Sequence, residues 1–130
     1  MDEMMRTMAA SASGMRAQAA RLRLSAENMA NADTPGYHRK VVPFQEIFDR
    51  TNETRAVATG PVQLDQSEVE RVYQPNHPLA DANGYVEGSN VNLMVEMADA
   101  REANRSYEAN LKMFEQARDM ASSLLDLLRR

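Results

Sequence analysis

The sequence has no cysteine and no tryptophan, and its 130 residues include only two histidines, three phenylalanines and four tyrosines. The absence of cysteine excludes disulfides and thiolate metal sites, and it leaves both reducing and oxidising compartments open. No stretch approaches the roughly 20 apolar residues that a membrane span needs. A net charge of −4 argues against nucleic-acid binding, because phosphate contacts need a basic surface. The ten methionines have flexible side chains, which are better suited to adaptable helix–helix contacts than to a rigid aromatic core.

The amino terminus does not match a cleavable secretory signal. It opens with the acidic residues Asp2 and Glu3, and it lacks an uninterrupted apolar segment. If the protein leaves the cytoplasm, we therefore expect a different export route.

Apolar residues in the first part of the chain recur at alternating spacings of four and three. The series is Met8, Ala12, Met15, Ala19, Leu22, Ala26 and Met29. Such a heptad pattern predicts an assembly helix over residues 1–31. Asn31 is the expected left-handed residue after the helix, and Pro35 lies beyond it.

The last part of the chain carries a longer series with the same spacing: Leu93, Met97, Ala100, Asn104, Tyr107, Leu111, Phe114, Arg118, Ala121, Leu125 and Leu128. It predicts a second assembly helix over residues 92–130, with Asn90 or Asn92 as its N-cap and Arg129 and Arg130 at its negative end. Asn104 and Arg118 either fix the register of this seam or turn toward solvent.

A second apolar stripe on the same helix needs an additional neighbour: Met113, Ala117, Met120, Leu124 and Leu127. Straight helices of these lengths would measure about 44 and 55 Å and would extend well beyond a compact body. The middle of the chain has no leucine-rich helices to complete a four-helix bundle. The pattern therefore favours self-assembly over a bent bundle.

Residues 32–91 mix β-branched residues with proline and glycine, which is typical of short strands and turns. Pro43 predicts an edge strand or a loop at its position. We therefore expect a mainly α fold, in which long N- and C-terminal helices pack as a coiled coil around a small irregular or β-rich outward domain.

The most distinctive helix-ending segment of the sequence is "AENMANADTPGY". Thr34-Pro35-Gly36-Tyr37 suits a type II turn, with proline second and glycine third. The segment is either a plain helix terminator or a shaped corner that a neighbouring subunit contacts. The residues expected to shape it are Asn28, Asn31, Asp33, Thr34, Pro35, Gly36 and Tyr37.

His77 and Asp81 in "HPLAD" have the spacing of two helical metal ligands, but Pro78 and the surrounding turn residues argue against a helix. The sequence contains no HExxH motif, no glycine-rich phosphate loop and no serine-nucleophile elbow. We therefore expect a structural histidine, no catalytic, metal or cofactor site, and a protein that is not an enzyme. A small hydrolase or metal protein is the weaker alternative.

Three stretches together resemble the bacterial flagellar axial family of rod and hook proteins. "SAENMANADTPGY" is similar to the family's helix end and turn, and "NVNLMVEMADAREANRSYEANLKMF" to its closing helix. Between them, "YQPNHPLADANGYVEGSNVN", which includes Gly84, Tyr85, Asn90 and Asn92, resembles the stretch typical of proximal-rod members. Ser89 stands where the family usually has proline, and we expect it to loosen the entry to the last helix.

The resemblance implies a structural subunit of the proximal rod, the hollow drive shaft that crosses the periplasm, transmits torque and passes exported subunits. It implies contacts with other copies, with proximal and distal rod subunits, with the rotor-ring adaptor protein and with the flagellar type III export apparatus. It implies neither nucleic acid nor a membrane span. The alternative is a soluble helical adaptor or export-associated factor in the cytoplasm.

Overall fold

The computed structural model describes residues 2–129 and contains two long helices connected by six short strands. Helix α1 spans Asp2–Ala30, and helix α2 spans Leu93–Leu128. The helices run antiparallel, since the end of α1 contacts the start of α2 while Gly14 lies against Asn110. This arrangement confirms the predicted fold class. Met1 and Arg130, which the predicted helices include, lie outside the described residues.

The ends of the two helices are fixed by asparagines. Asn92 caps α2, because its side chain accepts from the amides of Met94 at 3.0 Å and Val95 at 3.4 Å. Asn31 follows α1, and its side chain donates to the Glu27 carbonyl at 2.9 Å. The prediction of a left-handed Asn31 is wrong: within residues 2–129, Glu53 is the non-glycine residue with positive φ. The backbone instead ends α1 in tight successive turns.

The middle of the chain forms three two-stranded antiparallel sheets. The strands are β1 (Lys40–Val41), β2 (Phe44–Asp49), β3 (Thr54–Thr59), β4 (Gln63–Leu64), β5 (Arg71–Tyr73) and β6 (Tyr85–Glu87). Strands β2 and β3 form a hairpin that packs on α1, and β1 pairs with β4 beyond its open end. Pro43 lies between β1 and β2, outside both ladders, and its carbonyl accepts from the Gly60 amide at 2.8 Å.

The core of the described chain is built from small side chains. Its buried apolar residues are Ala17, Ala56, Val86, Ala103, Ala117 and Ala121. The accessible surface is 9150 Å², whereas a compact monomer of this mass exposes about 6,900 Å². The large apolar side chains are therefore left mostly at the surface. Within residues 2–129, no helix is long and apolar enough to span a bilayer.

Candidate assembly surfaces

A buried network of polar side chains holds the corner between α1 and β1. Asn28 is 1% exposed, and its amide group donates to the Lys40 carbonyl at 2.9 Å and to the Glu96 carboxylate at 3.3 Å. Its oxygen accepts from the Lys40 amide and the Tyr37 hydroxyl, both at 2.8 Å. Asn28 thus fixes where the chain returns along α1 and where α2 begins.

Glu96 and Arg39 form the charged part of this corner network. Glu96 is fully buried, and its Oε1 accepts from Arg39 Nε at 2.7 Å. The same guanidinium reaches Asp99 at 3.3 Å and Asp65 at 3.6 Å. Burial alone would lower the pKa of Arg39, but the hydrogen bond and charge of Glu96, with the charges of Asp99 and Asp65, outweigh it and raise that pKa. The corner network therefore keeps a permanent cation between three carboxylates.

The turn after α1 docks on the strand before α2. The Tyr37 amide donates to the Thr34 carbonyl at 3.2 Å, and Gly36 has a φ of 73°, which is the geometry of a type II turn. The Gly36 amide donates to the carbonyls of Gly88 at 3.0 Å and Glu87 at 3.2 Å. The exposed residues of this corner are Asp33, Thr34, Pro35 and Gly36.

Ser89 connects the two helix ends instead of standing free. It is 5% exposed, and its hydroxyl donates to the Ala32 carbonyl while accepting from the Val91 amide at 3.3 Å. The Ser89 carbonyl also accepts from the Glu70 amide at 3.1 Å. The expected loosening at this position is therefore not what the contacts show, because the hydroxyl supplies a tie that proline lacks.

Asn90 anchors the crossing of the middle segments and does not cap α2. Its side-chain oxygen accepts from the Arg39 amide at 2.6 Å. Its amide group donates to the carbonyls of Asp65 at 2.9 Å and Ser67 at 3.1 Å. The segment before α2 is thus hydrogen-bonded both to Arg39, just before β1, and to the loop that follows β4.

His77 and Asp81 organise the loop between β5 and β6. His77 Nδ1 accepts a hydrogen bond from the Leu79 amide at 3.0 Å, so this ring nitrogen stabilises the backbone of the loop. Asp81 accepts from the amides of Asn83 and Tyr85, both at 2.9 Å. Pro78 lies in a turn within this loop. Within residues 2–129, no group of three acidic or imidazole side chains could hold a metal ion.

The same loop lowers the pKa of Asp81 below its ordinary value of 3.8. The Tyr85 amide hydrogen bond is the largest cause, and the Asn83 amide and the Arg71 guanidinium at 2.7 Å add to it. Gly84 has a φ of 84°, and a Cβ there would lie 2.8 Å from the Tyr73 ring. The loop therefore needs glycine at this position.

The structure divides the predicted seam residues of α2 into two sets. Half-buried or buried against α1 are Ala100, Tyr107, Phe114 and Ala121. Exposed are Leu93, Met97, Asn104, Leu111, Arg118, Leu125 and Leu128. The side of α2 that faces α1 is centred instead on Glu96, Ala103, Asn110 and Ala117.

The predicted seam of α1 likewise flanks the helix contact. Half-buried are Met8, Ala12, Met15, Ala19, Leu22 and Met29, and Ala26 is exposed. The buried residues of α1 are Ser11, Ser13, Ala17, Ser25 and Asn28. Of these, Asn28 was predicted as a corner residue. The sequence analysis missed the other four as contact positions because it followed the larger apolar residues, although serine and alanine on one side of a helix permit close approach of a neighbour.

Two family models match the ends of the chain. "Flagella basal body rod protein" matches residues 8–38, and "Flagellar basal body rod FlgEFG protein C-terminal" matches residues 82–127. These segments contain most of α1 with its corner, and the β6–α2 region. Together they place the chain in the class of structural flagellar rod proteins.

Whole-length relatives specify the member of that class. Flagellar basal-body rod protein FlgC of Agrobacterium fabrum is 44% identical and covers 90% of this chain and 89% of the relative. The FlgC proteins of Salmonella typhimurium and Escherichia coli O157:H7 are 37% and 36% identical, each over 88% of this chain and 90% of the relative. The chain belongs to the flagellar basal-body rod protein FlgC family, and it is a structural rod subunit.

Proposed function

We propose that this subunit polymerises through α1 and α2 into the proximal rod, a hollow drive shaft that transmits torque and passes exported subunits. The observation that carries the proposal is the contrast between the core and the surface. No buried apolar side chain of the described chain is larger than valine, while Leu111, Leu125 and Leu128 are 37%, 46% and 77% exposed. Their burial by neighbouring subunits would supply the driving force for association.

The distribution of these side chains supports an open polymer. At about 100° per residue, Leu93, Met97 and Leu111 lie to one side of the α2 face that contacts α1. On the other side are Met113 and Met120, which are 53% and 57% exposed. A helix with apolar surface on both flanks contacts two neighbours, and a heterologous contact of this kind continues along an assembly instead of closing a dimer.

The partners we propose are other copies of the chain, proximal and distal rod subunits, the rotor-ring adaptor protein and the flagellar type III export apparatus. The location we propose is the rod across the periplasm, reached without a cleaved signal peptide. Family membership supports both. Torque transfer would be spread over many small contacts, which the exposed apolar positions along α2 can supply.

The test replaces an exposed apolar residue that the subunit itself does not need. Leu125→Asp should abolish motility in cells whose own copy is deleted, while the purified variant keeps the helicity and the unfolding midpoint of the wild type. Ser123→Asp is the matched control, since it places the same charge two residues away at an exposed polar position. Normal motility with Leu125→Asp, or equal loss with the control, would contradict the proposal.

A further inference from the structure

A groove of about 610 Å³ lies between α1 and the β2–β3 hairpin. Arg16, Ala20 and Arg23 line it along α1, and Ile47 and Arg50 line it along the hairpin. We call it the arginine groove. Arg16 and Arg23 directly follow Met15 and Leu22 in the sequence, so at about 100° per residue the groove borders the predicted seam of α1 on one side.

The charges of the arginine groove are unusual for a chain of net charge −4. Arg16, Arg23 and Arg50 are exposed, and none of them forms a salt bridge within residues 2–129. The acid of the groove is Asp49, whose carboxylate already accepts from the Thr51 amide at 3.0 Å and from the Asn52 side chain at 2.9 Å.

The groove also has an exposed apolar wall. Ile47 is 44% exposed and Phe48 is 62% exposed. Ala20, between the two arginines of α1, leaves a depression that a larger side chain can enter. Apolar surface flanked by arginines that form no salt bridge within the described chain indicates a partner with an acidic, amphipathic face.

One exposed face of α2 carries two glutamates and a leucine at the same spacing, with Lys112 beside the glutamates. Along α1, Ala20 follows Arg16 by four residues and precedes Arg23 by three. Read backwards along α2, Leu111 follows Glu115 by four residues and precedes Glu108 by three. In both helices the charged pair is seven residues apart, which is about 10.5 Å along one face. Glu108 and Glu115 are exposed and form no salt bridge within the described part of the chain.

We propose that the arginine groove of one copy binds the Glu108–Leu111–Glu115 face of α2 from a second copy. The helices run antiparallel, Arg16 pairs with Glu115, Arg23 pairs with Glu108, and Leu111 enters the depression at Ala20. The polarity fits an assembly in which all copies point the same way. Since α1 and α2 are antiparallel within one copy, α1 of one copy and α2 of a like-oriented neighbour are antiparallel as well.

This inference rests on the proposed polymerisation and adds the contacting surfaces. The test is a charge exchange in cells whose own copy is deleted. Arg16→Glu/Arg23→Glu should reduce motility severely, and Glu108→Arg/Glu115→Arg should do the same. The variant carrying all four changes restores both ion pairs and should recover motility. Glu68→Arg/Glu70→Arg, which makes two acid-to-arginine changes at exposed positions outside both surfaces, is the control.

A second readout isolates this contact from the rest of the assembly. For the purified protein, each double reversal should weaken self-association by at least about tenfold, and the wild-type association should weaken as salt is raised. Unchanged motility and association in both double variants would overturn the inference while leaving polymerisation intact. Loss in the arginine variant without recovery in the fourfold variant would also overturn it, because the groove would then bind another chain.

Discussion

Removing the carboxylate of Glu96 should destabilise the folded subunit more than any other single truncation of an ionised group on α2. Glu96 is fully buried, with 0% of its surface accessible to solvent. Its Oε1 accepts from Arg39 at 2.7 Å and from Asn28 at 3.3 Å. In Glu96→Ala, both donors lose this acceptor, although the Asn28 amide group still donates to the Lys40 carbonyl at 2.9 Å. Breaking a buried ion pair from one side costs about 3–5 kcal/mol.

The structure lowers that figure for this site. The Arg39 side chain is 19% exposed and keeps Asp99 and Asp65 as partners. We therefore expect a loss of about 2–3 kcal/mol in the free energy of unfolding, because two donors are left poorly satisfied. For a chain of this length, such a loss corresponds to a fall of about 10 °C in Tm.

The assay is urea unfolding of the purified chain, followed by circular dichroism at 222 nm as the usual helical signal. Glu102→Ala is the matched control on the same helix, since the Glu102 side chain is 68% exposed and has one 3.2 Å contact with Arg21. It should cost less than about 1 kcal/mol. A Glu96→Ala variant as stable as the control would refute the structural role assigned to the corner network.

Two further predictions concern the helix contact and the β5–β6 loop. Phe114→Asp should lower both the unfolding midpoint and motility, because Phe114 is half-buried against α1. Leu111→Asp should abolish motility with little change in the unfolding midpoint, because Leu111 is exposed. Equal effects of the two substitutions on the midpoint would contradict this distinction. Because the folded pKa of Asp81 is depressed, its ionised form stabilises the loop fully above 3.8, and the contribution is lost as the pH falls through the lower folded pKa. The Tyr85 amide shift in ¹⁵N NMR should therefore titrate with a midpoint below 3.8, and a midpoint at or above that value would refute the contact.

Periodicity was enough to predict the two helices and the strand-rich middle, because each depends on the order of neighbouring residues. It was not enough to predict which side of α2 faces α1. The series through Leu93 and Leu111 and the series through Glu96 and Ala103 both repeat every seven residues. The second faces α1 in the structure because its small side chains permit close approach, and because Arg39 supplies a cation for the buried carboxylate.

The corner was predicted in part for the same reason. The type II geometry at Gly36 follows from adjacent residues, and proline followed by glycine indicates it directly. The partners of Asn28 and Ser89 come from residues distant in the sequence, such as Glu96 and Ala32, and no local pattern identifies them.

Polar and apolar residues have different roles in this molecule: the polar residues determine the geometry of the corner, and the exposed apolar residues are available for association. Hydrogen bonds with strict geometry, at Asn28, Arg39 and Glu96, determine how the two helices leave the corner. Nondirectional apolar contacts, at positions such as Leu111 and Leu125, remain available to neighbouring copies. In the proposed polymer, a subunit built in this way would define its own shape before association and would bury these apolar side chains on association. Substitutions at the corner should therefore change stability first, and substitutions on the flanks of α2 should change assembly first.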